Sequence, residues 1–323
     1  MLTFVARRVL LSAVVVLVAS FLLFAFVRAT FDPTADLRRS GTAAHAIRDE
    51  RRRLHLDEPL VAQYGRWLRG ALHGDLGQSE RTHEDVSRVI GRSLWTSVQL
   101  MFFAVVLSVI AAIVVGVVGA LHQYSAVDHA FTGLSFLALA MPAFWFGLVA
   151  IQVLAIDVQS WLHLRDPLVY FVGLHSPGHS GLNLDYLRHL ALPVLTLSVQ
   201  IVASWSRYQR ASMLDVMSSG FIRTARAKGV PRRHVVVRHG LRNALVPLVT
   251  VVALDVGALF GGVIVTETVF SISGMGRLFV SSLLGGDATV LVAWTVVVAA
   301  FILAWNLAAD VVYGWLDPRI RVA

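Results

Sequence analysis

Residues 94 to 121 read LWTSVQLMFFAVVLSVIAAIVVGVVGAL, a run without one charged side chain. At about 1.5 Å of rise per residue, a helix of this length exceeds the roughly 30 Å hydrocarbon core of a bilayer. Five further runs of the same kind flank it: Val9 to Val27, Phe131 to Ile156, Leu190 to Ser206, Ala244 to Thr266 and Thr289 to Leu316. The fourth is the shortest and contains Pro193, so its upper boundary is the least defined. The reading is an all-α integral membrane protein with six transmembrane helices.

Composition agrees. Of 323 residues, 56% are hydrophobic and only 15% charged, proportions that a water-soluble chain of this length seldom reaches. Cysteine is absent, which excludes disulfides, thiolate metal sites and cysteine nucleophiles. The net charge of +8 is concentrated between Arg207 and Arg242, where nine bases face the single acid Asp215. Such a basic segment beside membrane helices marks the cytoplasmic side, so the charge does not point to nucleic acid.

The first run follows Arg7 and Arg8 but exceeds a signal-peptide core, and Val27-Arg28-Ala29-Thr30 is a poor cleavage site, so it is expected to be a retained helix. Arg7 and Arg8 place the N-terminus in the cytoplasm. Six crossings then place the 207–243 loop and the tail with Arg319 and Arg321 there too. The organisation is a cytoplasmic 1–8, a first span at 9–27, an outer loop at 28–93, and a core at 94–323 that includes the cytoplasmic loop. The outer loop crosses despite Arg51-Arg52-Arg53, because its acids nearly balance its bases.

Within that outer loop, Asp57 as N-cap, Glu58 in the first turn and Pro59 at the first helical position announce a helix. Leu60, Tyr64, Trp67, Leu68 and Ala71 then recur at spacings of three and four, giving one apolar face beside Arg66 and Arg69. Such a helix lies on the outer surface, either as a brace on its own domain or as a platform for an external partner.

The chain contains no Gly-x-x-x-x-Gly-Lys-Ser/Thr, no His-Glu-x-x-His and no Gly-x-Ser-x-Gly, so no ATP site of its own is expected. Histidines such as His73, His83, His163, His175 and His179 are scattered over loops and helix ends, and no metal site is expected.

The 207–243 loop is too long for a mere connection. Met213, Leu214, Met217, Phe221 and Ile222 give an apolar edge to a short helix, and Thr224-Ala225-Arg226-Ala227-Lys228-Gly229 follows. Small side chains allow close approach of a second surface. Gly229, with Pro231 two residues on, reads as a helix stop, and Val235 to Asn243 restart a helix into the fifth span. The loop is expected to dock a cytoplasmic partner.

Arg223-Thr224-Ala225-Arg226-Ala227-Lys228-Gly229, followed by His239-Gly240-Leu241-Arg242-Asn243-Ala244-Leu245-Val246-Pro247, resembles the coupling loop of binding-protein-dependent ABC importer permeases, in their dipeptide and oligopeptide branch. Ala6-Arg7-Arg8, Leu56-Asp57-Glu58-Pro59, Gly74-Asp75-Leu76-Gly77, Met141-Pro142, Thr266-Glu267 with Phe270, Gly274-Met275-Gly276 and the closing Asp317-Pro318-Arg319 fit the same family. The resemblance implies the type I ABC importer permease fold in a bacterial cytoplasmic membrane. It further implies that Ala225 to Gly229 form a short coupling helix held in a cleft of an ATPase subunit, which carries the ATP and Mg²⁺. A homologous second permease, an extracytoplasmic peptide-binding protein and a peptide substrate complete the implied system. Arg223 stands where the general motif has Glu, so a contact that needs that acid does not carry over, although the peptide branch shares the change.

Asp255 reads as the sole acid near the middle of a span, where a charge costs about 2.5 to 3.5 kcal/mol on insertion scales. In a regular helix it shares a face with Leu259, Gly262 and Thr266, which makes the set a candidate for the translocation path or for a subunit interface. Gly257 and Gly261 form a Gly-x-x-x-Gly pair that permits close helix contact. Two rivals stand beside the peptide reading. Related permeases carry nickel or other small solutes. A secondary transporter needs no coupling loop and normally places more than one ionisable group at the midplane.

Overall fold

A computed structural model describes residues 2–32, 34, 38 and 43–316, with the side chains of 2–8, 50 and 310–316 excepted. The Arg7 and Arg8 side chains and the closing Asp317-Pro318-Arg319 therefore lie outside the described residues. The elements are α1 (Leu2–Thr30), α2 (Ala44–Arg53), α3 (Leu60–Leu72), α4 (Val86–Leu121), α5 (Ala126–Ala140), α6 (Ala143–Trp161), α7 (Leu184–Ser218), α8 (Gly220–Ala227), α9 (Arg232–Val269), α10 (Met275–Gly285) and α11 (Ala288–Leu316). Among the described residues, six helices are long and apolar enough to cross a membrane: Val9–Thr30, α4, α6, α7, α9 and Ala288–Ala309. The chain divides into two compact units, one of residues up to Ser97 with Ser273–Leu307, the other of Val98–Ile272 with the helix end from Ala308.

In the first unit, α3 lays its apolar face on α1 and the start of α11. Tyr64 is buried among Phe24, Val27, Ala288, Leu291 and Val292, with Leu60, Trp67 and Leu68 packed around it. The Tyr64 ring meets Phe21 and Phe24 edge-on, 5.2 and 5.6 Å between centroids, and its hydroxyl lies 2.6 Å from that of Ser20. The α3 face thus serves as a brace on its own unit. The expected capping of α3 is corrected, however. Pro59 occupies the N-cap without a side-chain bond. Asp57 instead accepts from Arg51 at 2.9 and 3.1 Å, and Glu58 from Arg66 at 2.6 and 2.9 Å. In this arginine-rich loop, charged bonds to guanidinium groups displace bonds to backbone amides.

A polar latch closes the same unit. Asp287 caps α11 by accepting from the backbone N–H of Val290, and it also accepts from the Ser79 hydroxyl. Glu80 accepts from the Ala288 N–H at 3.2 Å and the Thr289 hydroxyl at 2.8 Å, with Arg28 3.8 Å away. Burial pushes the Glu80 carboxyl above its ordinary range.

In the second unit, α4 and α7 pack through small residues. Ala104, Ser108, Ala112, Gly116 and Ala120 recur every four positions along α4 and are all buried. Ser198 donates to the Ala104 carbonyl at 3.2 Å, Trp205 clusters with Ala112, and Met213 with Ala120. At Gly116 the approach is so close that a Cβ would stand 2.8 Å from Gln209 Cβ and from the Ser206 carbonyl. Such spacing lets backbones come together where lipid supplies no hydrophobic drive.

The third run differs from the expected Phe131 to Ile156. α5 ends at Ala140, Met141 is extended at ψ 131°, and α6 begins after Pro142. Proline disfavours the helical conformation for the residue before it and brings no N–H of its own, and here, unlike at Pro193 and Pro247, the helix breaks. The membrane length comes instead from α6, Ala143–Trp161, which passes through a π-helical turn at Ile151–Asp157. The broken end is compensated: the Gln200 amide on α7 donates to the Met141 carbonyl at 2.7 Å. α7 itself is longer than the fourth run, because Asn183 caps it by accepting from the Tyr186 N–H and Pro193 is accommodated inside it.

Candidate coupling site

α7 carries Met213 and Met217 to its end at Ser218, where Ser219 turns extended at ψ 156°. The apolar edge expected on one short helix is thereby split. Met213 and Met217 belong to the long α7, and only Phe221 and Ile222 belong to α8. The Met side chains instead receive the next segment: a Cβ on Gly240 would stand 3.0 Å from Met217 Sδ and 3.1 Å from Met213 Cε. Gly240 lies in the π-helical turn Val235–Leu241, which runs directly into Arg242–Asp255 as a single helix, α9.

α8 is short, and a single fully buried side chain, Ile222, anchors it. Its C-terminus is closed by a Schellman arrangement. The Val230 N–H reaches the Ala225 carbonyl at 3.3 Å, the Gly229 N–H reaches the Arg226 carbonyl at 3.0 Å, and Gly229 sits at φ +75°. That angle is left-handed, which explains glycine at this position. The rest of the segment faces outward. Arg223, Thr224, Arg226, Ala227, Lys228 and Gly229 are exposed, and Ala225 is half-buried. Phe221, a large apolar side chain, is 48% exposed on the same helix. The result is a capped, basic helix with small residues among its exposed side chains.

Two of the nine bases of the loop have other duties. Arg210 forms a two-pronged pair with Asp128 at the start of α5, 2.6 and 2.7 Å, and this guanidinium holds the Asp128 carboxyl below its usual range. Arg207 lies over the Phe136 ring at 4.7 Å.

The second candidate set lies on α9. Asp255 accepts from the Trp205 indole N–H on α7 at 2.8 Å. Val256–Ala258 form a 3₁₀ turn, which winds about 120° per residue instead of about 100° and rotates Asp255 relative to the residues beyond it. Gly262 approaches α7, where a Cβ would stand 3.2 Å from Leu197, and Thr266 is buried with its hydroxyl donating to the Gly262 carbonyl. Leu259 is half-buried. Gly257 is buried in the 3₁₀ turn, whereas Gly261 is exposed with nothing within 4 Å, so the two do not form one packed Gly-x-x-x-Gly face among the described residues. Asp255 is not alone on this helix, although it is the acid nearer its middle. Glu267, fully buried, falls inside it because α9 continues to Val269, three residues beyond the expected end.

These features define a multi-pass membrane protein with a capped, exposed loop helix. A family model described as "Binding-protein-dependent transport system inner membrane component" matches residues 90–322, and its N-terminal companion, "Binding-prot-dependent transport system membrane comp, N-term", matches residues 1–103. The chain belongs to this family of binding-protein-dependent transport permeases. It is 37% identical to the oligopeptide transport system permease protein OppB of Mycobacterium tuberculosis, over 99% of both chains. It is 35% identical to the oligopeptide permease AppB of Bacillus subtilis, over 99% of this chain and 100% of that one, and 36% identical to the dipeptide permease DppB of Escherichia coli over 83% of each. Among solved structures, the methionine ABC transporter MetNI in inward-facing conformations matches with a TM-score of 0.54 at 16% identity, covering 71% of this chain and 96% of that one. That likeness establishes the fold, which is that of an ABC transporter permease.

Proposed function

We propose that this chain forms half of the translocation path of an ATP-driven importer of oligopeptides or dipeptides in a bacterial cytoplasmic membrane, with both termini and the 207–243 loop in the cytoplasm. The observation that carries the proposal is the segment Arg223 to Gly229, a capped helix whose basic and small side chains stand exposed beyond one buried anchor. A separate ATPase subunit, carrying ATP and Mg²⁺, receives that helix. A homologous permease supplies the other half of the path, and an extracytoplasmic binding protein delivers the peptide. The peptide class is supported by relatives that carry peptide-permease names across the full chain length. Asp255, which accepts from the Trp205 indole, contributes a polar group to the path or to the interface with the second permease.

The test is isolation of the intact complex through a tag on this chain, followed by uptake into proteoliposomes of a labelled peptide mixture and, separately, of nickel. Copurification of an ATPase and a second permease, with ATP-dependent uptake of peptide and not of nickel, is the expected result. Uptake without an ATPase, or of nickel alone, contradicts it.

A further inference from the structure

Between α5 and α7 the second unit holds a cleft of about 530 Å³, lined by Thr132, Phe136, Ser204, Arg207, Tyr208 and Arg210. Its two cations differ. Arg210 is neutralised by its two bonds to Asp128. Arg207 makes its specific contact with the Phe136 ring, and among the described residues no carboxylate stands within ion-pair distance of it. The charge of the cleft is thus uncompensated at one guanidinium, on the exposed side of a membrane-spanning helix.

Depth identifies the neighbour. The apolar run Leu190 to Ser206 ends at the residue before Arg207, and its 17 positions rise roughly 26 Å, close to the thickness of the hydrocarbon core. Arg207 and Tyr208 therefore stand at headgroup level, where an amphipathic tyrosine and a long cationic side chain are both favoured. Phe136, Leu137 and Tyr208 are each more than half exposed, giving an apolar wall next to the cation. We propose that this cleft seats one anionic phospholipid, with its phosphate on the Arg207 guanidinium, the Tyr208 hydroxyl donating to a headgroup oxygen, and an acyl chain along Phe136 and Leu137. Arginine suits the role because its planar fork matches a phosphate and because it stacks on an aromatic face.

The measurement is native mass spectrometry of the full chain, purified from nanodiscs that contain phosphatidylglycerol and phosphatidylcholine in equal amounts. Wild type is expected to keep phosphatidylglycerol in preference to phosphatidylcholine after detergent stripping. Arg207→Gln should lower that retention about fivefold, the effect of one basic side chain at an anionic lipid surface. Ser204→Glu, which sets a carboxylate one turn from Arg207 on α7, should lower it as far while leaving the guanidinium in place. Arg92→Gln, at an exposed pair with Glu84 in the first unit, should leave it unchanged. Thermal unfolding of each variant in the same detergent verifies folding, and the Ser204 variant decides the matter if the Arg207 variant does not fold. Equal retention of the two lipids by wild type, retention unaffected by both cleft variants, or a second permease subunit cross-linking to Arg207→Cys in place of lipid would overturn the proposal.

Discussion

Gly229 and Asp255 show how much depends on single side chains. Gly229 at φ +75° completes the Schellman closure of α8, and a β-branched residue is strongly disfavoured there. Gly229→Val should leave membrane insertion intact, since nothing lies within 4 Å of its Cβ position, and yet lower peptide uptake at least tenfold by unravelling the end of the capped helix. Insertion and uptake measured in the same cells check this; wild-type uptake would contradict it. The stop was legible in the sequence because a glycine after a helical run, with a proline two residues on, has a local physical cause. For Asp255 the partner is Trp205, fifty positions away, and no local pattern predicts it. Asn can still accept the indole N–H, whereas Leu leaves a buried donor unpaired at about 1–3 kcal/mol. Asp255→Asn should therefore unfold near the wild-type temperature and Asp255→Leu well below it; equal unfolding temperatures would remove the significance of that bond.

Among the elements, the break between α5 and α6 and the outer latch are the informative ones. The apolar run from Phe131 to Ile156 hid the break, since hydropathy continues across Met141 and Pro142 while the backbone does not. A proline was visible there, but the Met141 carbonyl left at the break is answered by Gln200 on another helix, which sequence order does not reveal. Gln200→Leu should leave that carbonyl unpaired and cost about 1–3 kcal/mol, read as a lowered unfolding temperature in detergent. The small residues every four positions along α4 form a face for close helix contact, and the structure identifies α7 as the helix they meet. In the latch, the Glu80 carboxyl is raised by burial, with the neighbouring Asp287 charge adding to it and the Thr289, Arg28 and Ala288 contacts opposing. A carboxyl raised in the folded state contributes stability that is present below its ordinary pKa and is lost as pH rises through the folded value. Unfolding temperature should therefore fall as pH increases above the ordinary glutamate range, and Glu80→Gln should flatten that slope. An unchanged slope in the variant would place the pH dependence elsewhere.

Over the whole molecule, six apolar runs in the sequence correspond to six membrane-length helices, because span length follows from bilayer thickness and composition alone. Boundaries moved wherever caps, prolines and side-chain bonds decided them, as at Asn183, Pro142 and Val269. The pairing of Arg210 with Asp128, 82 positions apart, withdrew one base from a loop that otherwise reads as uniformly free. The central claim is that the capped segment Arg223 to Gly229 docks into a separate ATPase. The absence of native cysteine allows a direct test, with single cysteines at Thr224 or Ala227 on the exposed side of α8 and at Leu72, 78% exposed at the end of α3, as the comparison. Each variant is treated with a short thiol-to-amine cross-linker in membranes that contain the intact complex. The account predicts a cross-linked ATPase from Thr224→Cys and Ala227→Cys, none from Leu72→Cys, and a shift in cross-linking yield when ATP is added. No ATPase adduct at either α8 position, or an equal yield from Leu72→Cys, would contradict it.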